Sequence, residues 1–188
     1  MGRSTLAAEE AIVDQLEAEA KKRGYTIYSL TNIALQALLE LLKEGYSPDL
    51  LISLIKFYKL SQTLRTIPVT DWFIEKLVEE VHRSSKDKLK EICERTGEQL
   101  ATFLQGYAPT IEDLINLWKE IKNALPINDI SVRNKDDEFL ITITGSGFGL
   151  EATECSAWIA SKIFESYGLK IESVVAKQGG IVLIKAKA

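Results

Sequence analysis

Between Glu9 and Leu42 apolar residues recur with the period of an α-helix, in two segments separated by Gly24 that differ in how much of their circumference is apolar. Ile12, Val13, Leu16 and Ala20 form one stripe on the first, whereas Ile33, Ala34, Leu35, Ala37, Leu38, Leu39, Leu41 and Leu42 run nearly all the way round the second. A helix of the second kind needs partners on more than one side, and a two-helix unit of this size cannot bury that surface by itself. The excess must lie against the rest of the chain or a second copy. The pattern predicts a homodimer through Ile33 to Leu42.

Beyond Gly45 the chain is punctuated by helix starts. Ser47-Pro48-Asp49 is a cap with proline at the first helical position, opening a helix through Ile52, Ile55, Phe57, Tyr58 and Leu60. Pro68, Thr70 and Asp71 open another with Trp72, Phe73, Leu77, Val78 and Val81. Ser84 or Ser85 begins a third, carrying Leu89, Ile92, Cys93, Leu100 and Leu104. Thr110 and Asp113 have the spacing of a capping box ahead of Leu114, Ile115, Trp118 and Ile121. After Pro126 the apolar period falls to two: Ile130 and Val132, a polar turn over Asn134 to Asp137, then Phe139, Ile141 and Ile143, which reads as a hairpin. A helix from about Thr153 to Tyr167 follows, ended by Gly168. A second hairpin comprises Ile171 to Val175 and Ile181 to Ile184, turning at Gly179 and Gly180. The predicted fold class is therefore α+β and mostly helical, with an N-terminal helical unit (1–44), a helical connector (45–84) and an antiparallel sheet of two hairpins around a helix, covered by helices (85–188).

Composition adds bounds. With 188 residues, 46% hydrophobic and 27% charged, the chain has room for one large domain or two small ones. A formal net charge of -4 argues against coating nucleic acid, since that affinity comes from neutralising many phosphates. It leaves room for a local basic face made by Arg3 and the cluster Lys21, Lys22, Arg23; the same cluster is also what a solvated helix end favours. No apolar run reaches the ~20 residues of a membrane span and the first residues lack a signal peptide's apolar core, so no membrane association is expected. The two cysteines, Cys93 and Cys155, lie in helical patterns and are expected to be small buried hydrophobes rather than a disulfide, in keeping with a reducing cytoplasm.

The N-terminal quarter resembles the ribbon-helix-helix class of dimeric DNA-binding domains. The carriers are Ile12, Val13 and Leu16, then Ala20-Lys21-Lys22-Arg23-Gly24, then Leu30, Asn32, Ala34 and Leu35 in the pattern L-x-N-x-A-L. The resemblance implies a strand over Arg3 to Ala8 that pairs with a partner's strand and enters the major groove of double-stranded DNA, while the second helix points its N-terminus at phosphate. Strand alternation would place Arg3, Thr5 and Ala7 toward base edges. Arginine to guanine and threonine to a thymine methyl are sensible contacts, but Ala7 offers only methyl packing where the family commonly has a long polar residue. Lys21, Lys22 and Arg23 would reach phosphate. Thr26 and Ser29 would cap the second helix beside Tyr28, which stands where serine is frequent.

Residues from about Leu89 to Lys187 resemble the vinyl-4-reductase domain, a relative of the haem-nitric-oxide-binding fold thought to bind small molecules. The carriers are KEICERTGEQLATFL with Gly97 at its middle, EFLITITGSG, ECSAWIASKIF and LKIESVVAKQGGIVLIKA. Such domains typically carry further cysteines near the last two strands, where this chain has Val175, Ala176, Ile181 and Val182, and the sole histidine, His82, lies outside the domain. No metal or haem cofactor is expected. For a small apolar ligand the candidate residues are Gly97, Phe103, Trp118, Cys155 and Trp158: aromatics at helical spacing serve more often as core than as a pocket, but a glycine inside a helix marks the close approach of another element or a ligand.

Gly145, Gly147 and Gly149 precede a helix as in phosphate-binding loops, yet the following strand is predicted antiparallel and no lysine opens the helix, so a mobile or tight connection is the better expectation. Glu151, Glu154, Asp136 and Asp137 form no acid and base pair, as nothing places them in a common apolar site. No catalytic residues emerge, and the chain is read as a non-enzyme. The expected function is a cytoplasmic DNA-binding transcriptional regulator whose C-terminal domain senses a small apolar molecule or contacts a partner. The alternatives are a dimeric scaffold or adaptor that has lost DNA readout, and a small-molecule-binding protein without DNA binding.

Overall fold

In a computed structural model, which describes residues 5–125, 128–135, 137–145 and 147–188, the protein is a mostly helical α+β fold with a four-stranded antiparallel sheet. The chain divides into two compact units, Met1–Leu51 and Ile52–Ala188, so that nearly all of the predicted connector belongs to the second.

In the first unit α1 (Glu10–Arg23) and α2 (Ile27–Lys43) pack on each other. Gly24 takes the left-handed conformation (φ 73°), which lets the Tyr25 amide donate back to the Ala20 carbonyl at 2.9 Å and turns the chain sharply. Thr26 then caps α2, its hydroxyl accepting from the Ser29 amide at 3.1 Å. Ala20 is the buried residue of α1, and α2 has none. Leu38 and Leu41 are half-buried, whereas Leu35, Leu39 and Leu42, spaced i, i+4, i+7, form an exposed stripe, as does Ile33 beside it. The expected strand over Arg3 to Ala8 is corrected within its described part: Thr5 to Glu9 have no regular secondary structure, and Arg3 lies outside the described residues. A ribbon strand of this kind would be hydrogen-bonded only to a strand of another chain.

The second unit contains nearly all of α3 (Asp49–Leu64), then α4 (Asp71–Ser84), α5 (Lys86–Leu104), α6 (Ile111–Ile121), a short 3-10 turn, β1 (Asp129–Lys135), β2 (Glu138–Thr144), α7 (Leu150–Ser166), β3 (Lys170–Lys177) and β4 (Ile181–Lys187). The predicted caps at Thr70 and Ser85 are present, and Thr110 with Asp113 forms the expected capping box. The sheet order is β1-β2-β4-β3 with every neighbour antiparallel, as two hairpins flanking a helix require. Phe139 and Ile141 of β2, with Val182, Ile184 and Ala186 of β4, turn one face of the sheet onto Ala157, Ala160, Ile163 and Phe164 of α7. Helix α5 lies against α7, burying Leu89, Cys93, Gly97, Ala101 and Leu104 at near four-residue intervals.

The opposite face of the sheet carries a charge ladder. Lys187 reaches Glu172 at 2.6 Å and Lys185 reaches Glu172 at 3.2 Å and Glu138 at 3.4 Å. The hydrogen bonds from Lys187 and then Lys185 hold the Glu172 carboxyl below the usual carboxylate range. A depressed carboxyl stabilises the fold above its unfolded pKa and loses that contribution as pH falls through the folded one. On the exposed sheet face this contribution is small and screened by salt. Glu172 is expected to titrate below the ordinary glutamate range by NMR, and to return toward it in Lys185→Met/Lys187→Met.

Candidate functional site

The second unit holds an apolar cavity of about 280 Å³ between α7, α5, the end of α6 and the first hairpin. It is lined by Leu100 of α5, Trp118 of α6, Leu125, Ile130 and Ile143 from the turn and strands, and Ser156, Ile159, Ala160, Ile163 and Phe164 of α7. The α7 members follow one helical stripe, i, i+3, i+4, i+7, i+8, so a single face of that helix supplies half of the wall. Small side chains at Ser156 and Ala160 leave space where larger ones would fill it. Ser156 provides a hydroxyl in the wall, which donates to the Ala152 carbonyl at 2.9 Å, leaving its lone pairs as acceptors. Among the described residues this wall carries no acidic or basic side chain. It can exclude water and hold an uncharged molecule.

Of the residues expected to bind a ligand, Trp118 lies on this cavity; the others stand elsewhere. Phe103 stacks on Tyr107, ring centroids 5.7 Å apart, and packs against the core. Trp158 lies beneath Lys86, whose ammonium is 5.8 Å from the ring centroid. Gly97 serves helix packing: a Cβ there would stand 2.6 Å from the Ile159 carbonyl oxygen and 2.8 Å from Lys162 Cβ. Cys155 needs the largest correction, because it is disulfide-bonded to Cys93 across 62 residues, with Cα atoms 5.5 Å apart. The reason is geometric. Cys93 with Cys155, Gly97 with Ile159, and Gln105 with Ser166 meet in the same order along both helices, so α5 and α7 run parallel, and the close approach at Gly97 brings together the cysteines one turn earlier. Neither cysteine is the lone buried thiol that helical context suggested.

The residues expected to contact DNA fall into two groups. Lys21, Lys22 and Arg23 in the last turn of α1 and Thr26, Tyr28 and Ser29 at the start of α2 are brought together by the Gly24 turn. Two of the cations are already paired: Glu19 accepts from Arg23 at 3.0 Å and Lys22 at 3.5 Å, and the Arg23 hydrogen bond above all lowers the Glu19 pKa. Thr5 and Ala7 are exposed beyond the opposite end of α1. Arg3 lies outside the described residues.

The glycine-rich turn before α7 is occupied from within the chain. The Gly149 amide donates to the Glu75 carboxylate, so a side chain of α4 takes the place an anion would have at this helix start. Gly145 and Gly147 have positive φ, and the Gly179 amide ties the turn down through the Phe148 carbonyl at 2.8 Å. Nearby, Glu154 pairs with Lys86 at 2.7 Å, and His82 Nε2, buried without a hydrogen-bond partner among the described residues, stands 3.7 Å from the same carboxylate. Among the described residues no group of three or more His, Cys, Asp or Glu side chains is placed to hold a metal ion. Likewise, no described helix is long and apolar enough to cross a membrane.

Neither a family model nor a curated protein matches the chain. The cavity residues that sequence reasoning missed are Leu100, Leu125, Ile130, Ile143 and the α7 stripe. The one signal for them was the pairing of small with large residues along Ser156, Ile159, Ala160 and Ile163, which on sequence alone reads as ordinary core.

Proposed function

We propose that the protein is a dimeric DNA-binding transcriptional regulator, in which the first unit dimerises through α2 and contacts double-stranded DNA, and the cavity of the second unit takes a small apolar ligand. The observation that carries this reading is the exposed stripe Leu35, Leu39 and Leu42 on a helix with no buried residue. An apolar helix face left in water is unfavourable by about 25 cal/mol per Å², and a second copy of α2 would cover it symmetrically. The resemblance to ribbon-helix-helix domains supplies the DNA part. The meeting of Lys21, Lys22 and Arg23 with the capped start of α2 supports a phosphate contact there. The ligand part rests on the cavity: engineered apolar cavities of ~150 Å³ bind benzene, so a space of about 280 Å³ suits an uncharged molecule of two fused rings or a comparable branched chain.

A second reading is favoured by specific observations. Ala7 offers little base readout, and Glu19 already pairs with both Lys22 and Arg23 and offsets one of their two charges, as expected of a dimeric scaffold without DNA recognition. Selection of bound fragments from a random DNA pool at low and moderate salt separates the two. A regulator yields a consensus with two half-sites; Arg3→Ala weakens binding to it by about 1 to 3 kcal/mol, whereas Lys21→Ala/Lys22→Ala weakens all sequences alike and flattens the salt dependence. Enrichment of no sequence over competitor DNA assigns the protein to the scaffold class.

Dimerisation is tested separately. Leu39→Asp places a carboxylate at the centre of the stripe and is expected to weaken dimerisation roughly a hundredfold, about 3 kcal/mol, in sedimentation equilibrium. A mutant that sediments as a dimer with unchanged affinity refutes α2 as the interface.

A further inference from the structure

The disulfide has a setting that neither the fold nor the proposed function accounts for. Cys93 is buried, 2% exposed, while Cys155 is half-buried. Both lie on the wall of an apolar cleft of about 180 Å³, separate from the cavity and open to solvent, whose other side is built by Leu77, Val78 and Val81 of α4. A small thiol can therefore reach the bond without unfolding of the sheet or of α5.

The two helices do not depend on that bond to find each other. They are also joined by the close packing of Gly97 on Ile159 and by the Gln105 amide, which donates to the Ser166 carbonyl at 2.8 Å. The bond instead fastens the earlier turns of both, ahead of those contacts. Ser156, next to Cys155, and Ile159, one turn on, line the ligand cavity.

We infer that Cys93–Cys155 is a reversible redox clasp, opened by a dithiol reductant through the α4 cleft, which sets the mobility of the first turns of α7. A thiolate of the reductant attacks the Sγ of Cys155, the more exposed of the two residues, and the Cys93–Cys155 bond breaks with its electron pair on Cys93, which takes a proton. The reductant's second thiol, as thiolate, attacks the mixed disulfide and expels Cys155, which is protonated in turn. Two protein thiols are formed and the dithiol is oxidised to its own disulfide, so electrons and protons balance. Reduction leaves α5 and α7 packed at Gly97 and joined before it through Lys86 and Glu154, so the turns ahead of Gly97 loosen without separating.

The experiment treats the full chain, without denaturant, with dithiothreitol, traps thiols with iodoacetamide and reads their number by mass; hydrogen exchange is followed on both forms. Two alkylated cysteines are expected from a protein whose circular dichroism is unchanged. Amides within residues 150–157 and 89–96 should then exchange about tenfold faster while those of β2 and β4 do not change. Cys155→Ala should show the faster exchange with or without reductant, and Cys93→Ala provides the same control should the first variant fold poorly. A bond that stays closed in native protein, exchange unchanged by reduction, or loss of the whole fold on reduction would each overturn the inference.

Discussion

Gly97→Ala is expected to destabilise the second unit by about 2 to 3 kcal/mol, a large effect for one added methyl group. At an exposed helix position the same change would stabilise by up to about 1 kcal/mol, because glycine is the poorer helix former. Here the sign reverses. The new Cβ would meet the Ile159 carbonyl oxygen at 2.6 Å, and backbone cannot rotate out of the way as a side chain can. Helix α5 must move off α7 and loosen the contacts of Cys93 and Ala101, a turn to either side. Urea denaturation of the mutant measures the loss. Thr102→Ala, an exposed site on the same helix, is the control and should change stability by less than about 0.5 kcal/mol. Equal stabilities for Gly97→Ala and wild type would mean that the helices are not in the contact described.

How much of this was legible in the sequence depends on whether the determinants were local. The caps at Thr26, Thr70, Ser85 and Thr110 were readable because a cap is decided by residues three apart, and all four hydroxyls accept the amide hydrogen bond that the pattern implies. The hairpins were readable because alternation in Phe139, Ile141 and Ile143 states which face is buried, and the Gly179-Gly180 turn, with φ of 91° and 72°, requires residues that tolerate positive φ. A glycine inside a helical pattern marks the close approach of another element, and Gly97 meets the backbone of α7 at Ile159. What the sequence withheld was non-local. A cavity is missing volume among side chains from five elements, and no one segment records it; Trp118 was found because it is large, and Ser156 and Ala160 were missed because they are small.

The disulfide belongs to the same class of hidden feature, and its removal should have the largest effect of any change considered. Cys93→Ala/Cys155→Ala is expected to lower the unfolding free energy by about 4 kcal/mol. Chain-entropy arguments give ~3 kcal/mol for a loop of 15 residues and ~4.7 kcal/mol for one of 100, and the loop closed here spans 62. The stabilisation lies in the unfolded state, which the bond prevents from separating α5 and α7, so it is independent of the packing at Gly97. Replacing both cysteines avoids leaving a single thiol free to pair between molecules, and alanine retains the helix propensity of both positions. Wild type in dithiothreitol should unfold at nearly the same denaturant concentration as the double mutant, because in both the unfolded chain is unconstrained. With stabilities of small domains near 5 to 15 kcal/mol, the reduced protein should stay folded at room temperature yet unfold at markedly lower temperature than the oxidised form. If oxidised wild type and the double mutant unfold at the same denaturant concentration, the bond does not constrain the unfolded chain, and the pairing of Cys93 with Cys155 in the native protein is refuted.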